Sequence, residues 1–297
     1  MKTTWKVGTR GSKLALRQTE IVLDNLRQHY PCYEFIVKVI KTTGDTVWDK
    51  PLHLIGAKGL FVKEIEEDLL TGEIDFAIHS VKDLPTDLGE HLTLAAVLKR
   101  EDPRDAFLSL IHDSIAGVRQ GGRIGTSSLR RKAQISSFRS DLEVMPLRGN
   151  VDTRIRKMEK EGLDGILLAY AGAKRMGLAG YVREILPYTI MVPPSGQGAI
   201  GVETRRDDDA LTLIGPLNDS RSFREITLER RLQAAAGGGC QIPLGINIAL
   251  ANSEARIHIF LGKENGETLY GARRVIPAGD VDGVLEDMGK DLKKLLV

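Results

Sequence analysis

The sequence predicts an α/β protein of two helix-on-sheet domains followed by a small α+β module. Three observations carry this. Strand-like runs alternate with helix-period segments in the first third. The same alternation restarts after Arg100-Glu-Asp-Pro-Arg. The last third changes to consecutive strands between two helices. Alternation of this kind argues for helices packed on largely parallel sheets.

Element by element, Trp5–Thr9 reads as a strand, and Ser12 is placed to cap a helix running to about His29. Glu34–Ile40 alternates Phe35, Val37 and Val39 against Ile36, Lys38 and Ile40. Phe61, Ile65 and Leu69 recur four apart on a helix ending near Gly72, and Asp75–His79 and Leu92–Val97 add strands. Next come short buried strands at Ile124–Thr126, Leu142–Met145 and Gly165–Leu168, each leading into a helix. Val192-Pro-Pro-Ser-Gly-Gln-Gly marks a crossing point before a strand at Ala199–Glu203. A helix at Arg221–Ala236, strands at Ile246–Leu250, Arg256–Leu261 and Thr268–Val275, and an amphipathic helix through Val281, Val284, Met288, Leu292 and Leu295 complete the chain.

Composition supports a globular reading. The chain has 297 residues, 42% hydrophobic and 28% charged, enough for two or three domains of about 100–150 residues each. No apolar run approaches the roughly 18 residues of a membrane span, and the N-terminus lacks a signal-peptide pattern. Cys32 and Cys240 lie far apart with no metal-ligand spacing, so neither a disulfide framework nor a metal site is expected. A cytoplasmic protein is the expectation. The formal net charge of +2 hides an asymmetry, because 12 of the 24 arginines fall between Arg100 and Arg183.

Those arginines cluster where strands end and helices begin. Gly125-Thr-Ser-Ser-Leu-Arg-Arg brings Thr126, Ser127, Ser128, Arg130 and Arg131 to one helix start, where free N–H groups, hydroxyls and guanidiniums suit an anion. A serine cap followed by two solvated arginines is the competing reading. The arrangement recurs with Arg148 and Arg154 in Leu147–Arg154, with Arg175 in Ala171–Arg175, and with Arg10 and Ser12 in Thr9–Lys13. Open α/β sheets bind ligands outside the carboxyl ends of their strands. Four such connections imply a cleft for a multiply charged anion, and no Walker or dinucleotide motif is present there. A compound with several carboxylates suits the planar arginine fork.

His79-Ser-Val-Lys-Asp-Leu-Pro places Lys82 and Asp83 at another strand end, where nearby cations favour the ionised carboxylate. A loop salt bridge or helix cap is the alternative for this pair, and His79 reads as a structural strand-end residue. Gly237-Gly-Gly-Cys-Gln sets Cys240 on a glycine-rich loop suited to carrying something bulky, a small buried cysteine being the alternative. Thr43–Gly59 is long for a connection, which suggests a lid with Lys58 as its basic hinge-side residue, or else an exposed surface loop.

Taken together, TRGSKLAL (9–16), GLFVKEIE (59–66), DFAIHSVKDLPT (75–86), IGTSSLRRKAQI (124–135), LRGNVDTRIRK (147–157), PPSGQGAIGVE (193–203) and GGCQIPLG (238–245) resemble the porphobilinogen deaminase, or hydroxymethylbilane synthase, family along almost the whole chain. The resemblance implies two domains of the type II periplasmic-binding-protein kind with mixed sheets: residues 1–98 with 194–216, and residues 99–193. It implies a third, α+β domain over 217–297. It also implies a transferase of tetrapyrrole and haem biosynthesis, monomeric and cytoplasmic, with no nucleic-acid or membrane partner. Four porphobilinogen molecules are joined head to tail on a dipyrromethane cofactor, ammonia leaves, and hydroxymethylbilane is released.

By the same resemblance, Cys240 matches the thioether attachment and Asp83 the catalytic carboxylate. Lys82, Thr126, Ser127, Ser128, Arg130, Arg131 and Arg148 match cofactor contacts. Arg10, Ser12, Arg154, Arg175, Gln197 and Lys58 match groups that handle substrate. Six linked pyrroles carry about twelve carboxylates, which a cleft without excess positive charge would not hold away from water. One departure is that Ala236-Gly237 stands where the family has Leu-Glu. The rival readings are a non-enzymatic binding module for a polycarboxylate and an RNA-binding protein. The second is weakened by an aromatic content of only 5%.

Overall fold

The computed structural model describes residues 2–46, 62–237 and 242–296. In chain order the elements begin β1 (Thr4–Arg10), α1 (Lys13–His29), β2 (Glu34–Ile40), α2 (Thr43–Thr46), α3 (Lys63–Leu70), β3 (Phe76–Ser80) and β4 (Leu92–Val97). They continue β5 (Asp105–Leu108), β6 (Arg123–Gly125), α4 (Leu129–Phe138), β7 (Glu143–Met145), α5 (Val151–Lys160), β8 (Gly165–Ala169), α6 (Tyr170–Arg175) and β9 (Val182–Ile185). Last come β10 (Ile200–Arg205), α7 (Ala210–Ile214), α8 (Ser220–Ala235), β11 (Leu244–Ala251), β12 (Glu254–Gly262), β13 (Thr268–Pro277) and α9 (Val281–Leu296). Two compact units result, Met1–Glu101 with Ala199–Arg224, and Asp102–Gly198 with Glu225–Val297.

In the first unit the strands lie in the order β2-β1-β3-β10-β4. β1 runs parallel to β2 and β3, whereas β10 runs antiparallel to β3 and β4. The sheet is therefore mixed, because the last strand of this unit arrives only after a long excursion. Side chains alternate between faces at a period of two. Trp5, Val7, Phe76, Ile78, Ile200 and Val202 meet Val22, Leu23 and Leu26 of α1 in one core, and Ala77 meets Ile65 and Leu69 of α3 in another. Full burial of a side chain such as Leu26 contributes about 1.5–3 kcal/mol. β2 is an edge strand, so its alternation buries little: Ile36, Val37 and Val39 are all exposed.

The second unit repeats the scheme with β7-β6-β8-β5-β9. β6, β7 and β8 are parallel, and β5 is antiparallel to β8 and β9. The antiparallel pairs β11-β12 and β12-β13 form a separate sheet. Its core joins Ile246, Ile257 and Ile259 to Leu228 and Leu232 of α8 and to Leu285, Met288 and Leu292 of α9. The α/β class with mixed sheets and a terminal α+β module is thus realised. β5 and β9 were not expected, since neither leads into a helix, the alternation from which the still shorter β6 and β7 were read.

Candidate functional site

In the first unit, β1 and β3 are parallel neighbours, so their carboxyl ends lie on one side of the sheet. β1 delivers Arg10 there. Ser12 follows as the α1 cap, its Oγ accepting the Ala15 N–H at 3.2 Å. β3 ends at Ser80 and turns at once into a single 3-10 turn, Val81–Asp83, that carries Lys82 and Asp83. The turn is tied down from two sides. Val81 N–H donates to Ala199 O at 3.2 Å, and the buried Gln18 amide exchanges hydrogen bonds with the Ser80 hydroxyl at 2.9 and 3.0 Å. Arg10 Nη1 stands 3.9 Å from Asp83 Oδ2, and the Asp83 side chain remains 37% exposed. A half-open carboxylate on a braced turn suits contact with a ligand.

Beneath that turn, His79 Nε2 lies 3.0 Å from Glu203 Oε2, with both side chains buried. This fits the structural reading of His79. Nearby on α3, burial first and the charge of Glu203 second push the Glu66 carboxyl up to about 7, and His79 offsets part of that rise.

In the second unit, adjacent parallel strands β7, β6 and β8 each open into a helix, so three helix starts lie along one sheet end. After β6, Thr126 N–H donates to Met145 O at 2.8 Å and Ser128 N–H to Thr126 Oγ1 at 3.2 Å. Ser128 is the cap of α4, its Oγ accepting the Arg131 N–H at 3.4 Å. Ser127 is exposed between two tethered neighbours. After β7, Arg148 precedes Gly149, whose φ of +120° favours glycine. Arg154 of α5 returns its Nε to Gly149 O at 2.8 Å. After β8, Arg175 at the end of α6 donates from Nη2 to Gly198 O at 2.7 Å.

Ser128 caps the helix as the competing reading had it, but Arg130 and Arg131 are buried rather than solvated. Both meet Asp105, at the start of β5. Arg131 donates from Nε and Nη2 to Asp105 Oδ1 at 2.9 and 2.7 Å, and from Nη1 to Leu167 O at 3.0 Å. Arg130 Nη1 lies 2.9 Å from Asp105 Oδ2 and donates to Val192 O at 2.7 Å. Gln197 donates from Nε2 to Pro103 O at 2.7 Å and to Asp105 Oδ1 at 3.1 Å. Burial alone would raise the Asp105 carboxyl, but the two guanidiniums outweigh it and hold the group at about 2.

Sequence reasoning missed Asp105, Gln18 and Glu229. Asp105 has one visible signal, a carboxylate opening the wholly apolar run Ala106–Leu108. Glu229 is buried on α8; its Oε2 accepts the Gly196 N–H at 2.8 Å and its Oε1 the Ile248 N–H at 2.8 Å. It thereby fixes the Pro-Ser-Gly-Gln turn against β11. Cys240 and Lys58, with most of the stretch read as a lid, lie outside the described residues. Before Cys240, Gly237 closes α8 at a φ of +68° and Ala236 is buried. The departure from Leu-Glu thus falls where the backbone enters the left-handed region, which disfavours glutamate.

The donor set fits a dipyrromethane bearing carboxylates: guanidiniums, hydroxyls and helix-start N–H groups, with one buried carboxylate between two buried arginines. Comparison with known proteins points the same way. Residues 5–212 match the family model described as "Porphobilinogen deaminase, dipyromethane cofactor binding domain". The chain is similar to proteins named porphobilinogen deaminase from Roseiflexus sp. (strain RS-1), at 46% identity over 92% of this chain and 91% of that one. It is 47% identical to that of Syntrophomonas wolfei, over 89% and 87%, and 45% identical to that of Syntrophus aciditrophicus, over 98% and 94%. Among solved structures it is similar to the methionine-binding protein MetQ, at 12% identity over 77% of this chain and 95% of that one, with a TM-score of 0.47.

Proposed function

The chain belongs to the porphobilinogen deaminase family, and from that premise we propose how its residues divide the work. The protein is a transferase of tetrapyrrole biosynthesis, joining four porphobilinogen units head to tail with loss of one ammonia each, and one water releases the chain as hydroxymethylbilane. The family match does not favour the reading as a mere binding module. The cofactor of this family is a dipyrromethane, which when bound supplies the primer to which each new pyrrole is added.

In our reading, Cys240 holds that primer through a thioether. Asp83 is the catalytic carboxylate. On its braced 3-10 turn it is a fixed anion that assists the departing amine and lowers the energy of cationic pyrrole rings beside it. Arg10, at 3.9 Å from Asp83, is a receptor for substrate carboxylate. Lys82, Thr126, Ser127, Ser128, Arg130, Arg131 and Arg148 hold the cofactor's carboxylates. Arg154, Arg175, Ser12, Gln197 and Lys58 handle the incoming unit or the growing chain. We assign residues 1–98 with 194–216, 99–193 and 217–297 to three domains. We read the protein as a cytoplasmic monomer without a nucleic-acid or membrane partner; among the described residues no helix is long and apolar enough to cross a membrane.

The observation that carries this reading is the pair of buried guanidiniums at the α4 start sharing one carboxylate, in a chain whose first 212 residues hold the family's cofactor domain. Intact mass of wild type and of Cys240→Ser tests it. The wild type is expected to carry a two-pyrrole increment that the variant lacks. Asp83→Asn is expected to keep the increment while turning over porphobilinogen at least a hundredfold more slowly. A wild type without the increment, even after incubation with porphobilinogen, removes the attachment. Undiminished turnover by Asp83→Asn removes Asp83 from its role.

A further inference from the structure

Two adjacent arginines on a helix start have no intrinsic reason to share a direction, since neighbouring helical positions project about 100° apart. Like charges side by side also repel, and a buried guanidinium without a counter-charge is costly. In this chain one buried carboxylate resolves all three problems. Asp105 Oδ1 accepts hydrogen bonds from Arg131 Nε and Nη2, and its Oδ2 forms an ion pair with Arg130 Nη1 at 2.9 Å. The Leu167 and Val192 carbonyls receive one further N–H from each guanidinium. Gln197, on the turn after Pro194, donates to the same Oδ1 and to Pro103 O, so the carboxylate is itself fixed. Three chain segments thus converge on one group: the start of β5, the first turn of α4 and the Pro-Ser-Gly-Gln turn.

We infer that Asp105 is a positioning residue for the reaction. It sets the directions of Arg130 and Arg131 and leaves the pair with a single net positive charge for the carboxylates of the cofactor. Gln197 acts on that site through Asp105, in addition to any contact of its own. The inference rests on the reading of Arg130 and Arg131 as cofactor-binding groups. A side chain that turns both guanidiniums by charge, and Arg131 also by donor geometry, controls how tightly carboxylates are held before the thioether forms. It leaves the thiol chemistry itself untouched.

Loading of apo-protein separates these effects. Apo wild type, Asp105→Asn and Asp105→Glu are incubated with graded porphobilinogen, and the covalent increment is followed by intact mass. The reactivity of the unloaded protein toward a thiol reagent is measured beside it. Asp105→Asn is expected to need at least tenfold more porphobilinogen for half-maximal loading rate. Asp105→Glu, which retains the charge but shifts the carboxylate by a methylene, is expected to need about threefold more. Thiol reactivity stays at the wild-type level in each.

Asp105→Glu keeps the counter-charge and so gives an answer even where Asp105→Asn does not fold. Asp164→Asn, which removes a buried carboxylate with several partners elsewhere in the second unit, is the control for lost stability and is expected to load like wild type. Half-maximal concentrations within twofold of wild type in the foldable Asp105 variants overturn the inference. So does an equal rise in Asp164→Asn. Failure of the wild type itself to load strikes instead at the family reading on which the inference stands.

Discussion

The pH dependence of stability in the first unit is expected to be governed in part by Glu66. Among the described residues, its Oε1 is buried without a hydrogen-bond partner. Burial, reinforced by the charge of Glu203 and offset by His79, raises its pKa from 4.5 to about 7. Between those two values the native protein holds a proton that the unfolded chain releases. The stabilisation is therefore complete below about pH 4.5 and is lost as pH rises through about 7. At about 1.36 kcal/mol per pKa unit the shift amounts to about 3 kcal/mol, or about 2 kcal/mol once the partial exposure of Glu66 is allowed for. Glu66→Gln replaces the carboxyl with a neutral group of the same shape and removes this dependence. Urea unfolding of both proteins at pH 5, 6, 7 and 8 should give nearly equal stabilities at pH 5 and a variant more stable by about 2 kcal/mol at pH 8. Two stability profiles that run parallel across the range would refute the reasoning, because no proton would then be taken up by Glu66 on folding.

Two further outcomes are expected. Asp164 is buried and receives hydrogen bonds from Arg119 Nε at 3.0 Å and the Arg123 N–H at 2.8 Å, with His112 Nε2 at 3.1 Å; these outweigh the rise that burial would cause and hold its carboxyl well below the usual range. Asp164→Asn should cost about 3 kcal/mol near neutrality, and the wild type's advantage, present above about pH 4, should vanish as pH falls through the depressed value, as read by denaturant midpoints. Gly237→Glu restores the family's residue at a φ of +68°, and should lower stability by about 1 kcal/mol, whereas Gly237→Asn should be tolerated more easily.

Long periodic elements were legible in the sequence. Glu34–Ile40 and Leu92–Val97 are strands over those very residues, and the helix after Ser12 ends at His29, because hydrophobic period and cap residues are local signals. β5 and β9 escaped because neither leads into a helix, and their pairings with β8 and with each other are made far along the chain. The site divides in the same way. The arginine- and hydroxyl-rich helix starts announce themselves as contiguous motifs, but the carboxylate that pairs with two arginines of one of them does not. Asp105 lies 25 and 26 residues before Arg130 and Arg131, on a strand the sequence hides.

This difference changes how the near-neutral net charge of +2 is to be read. Glu203 and Asp105 are not acidic surface balancing a basic cleft; each is buried against a particular partner, His79 in one unit and an arginine pair in the other. A carboxylate facing one imidazole leaves at most a neutral pair, whereas a carboxylate facing two guanidiniums leaves a fixed positive charge. Local positive charge therefore follows from the stoichiometry of buried partners, and the whole-chain sum carries no information about it.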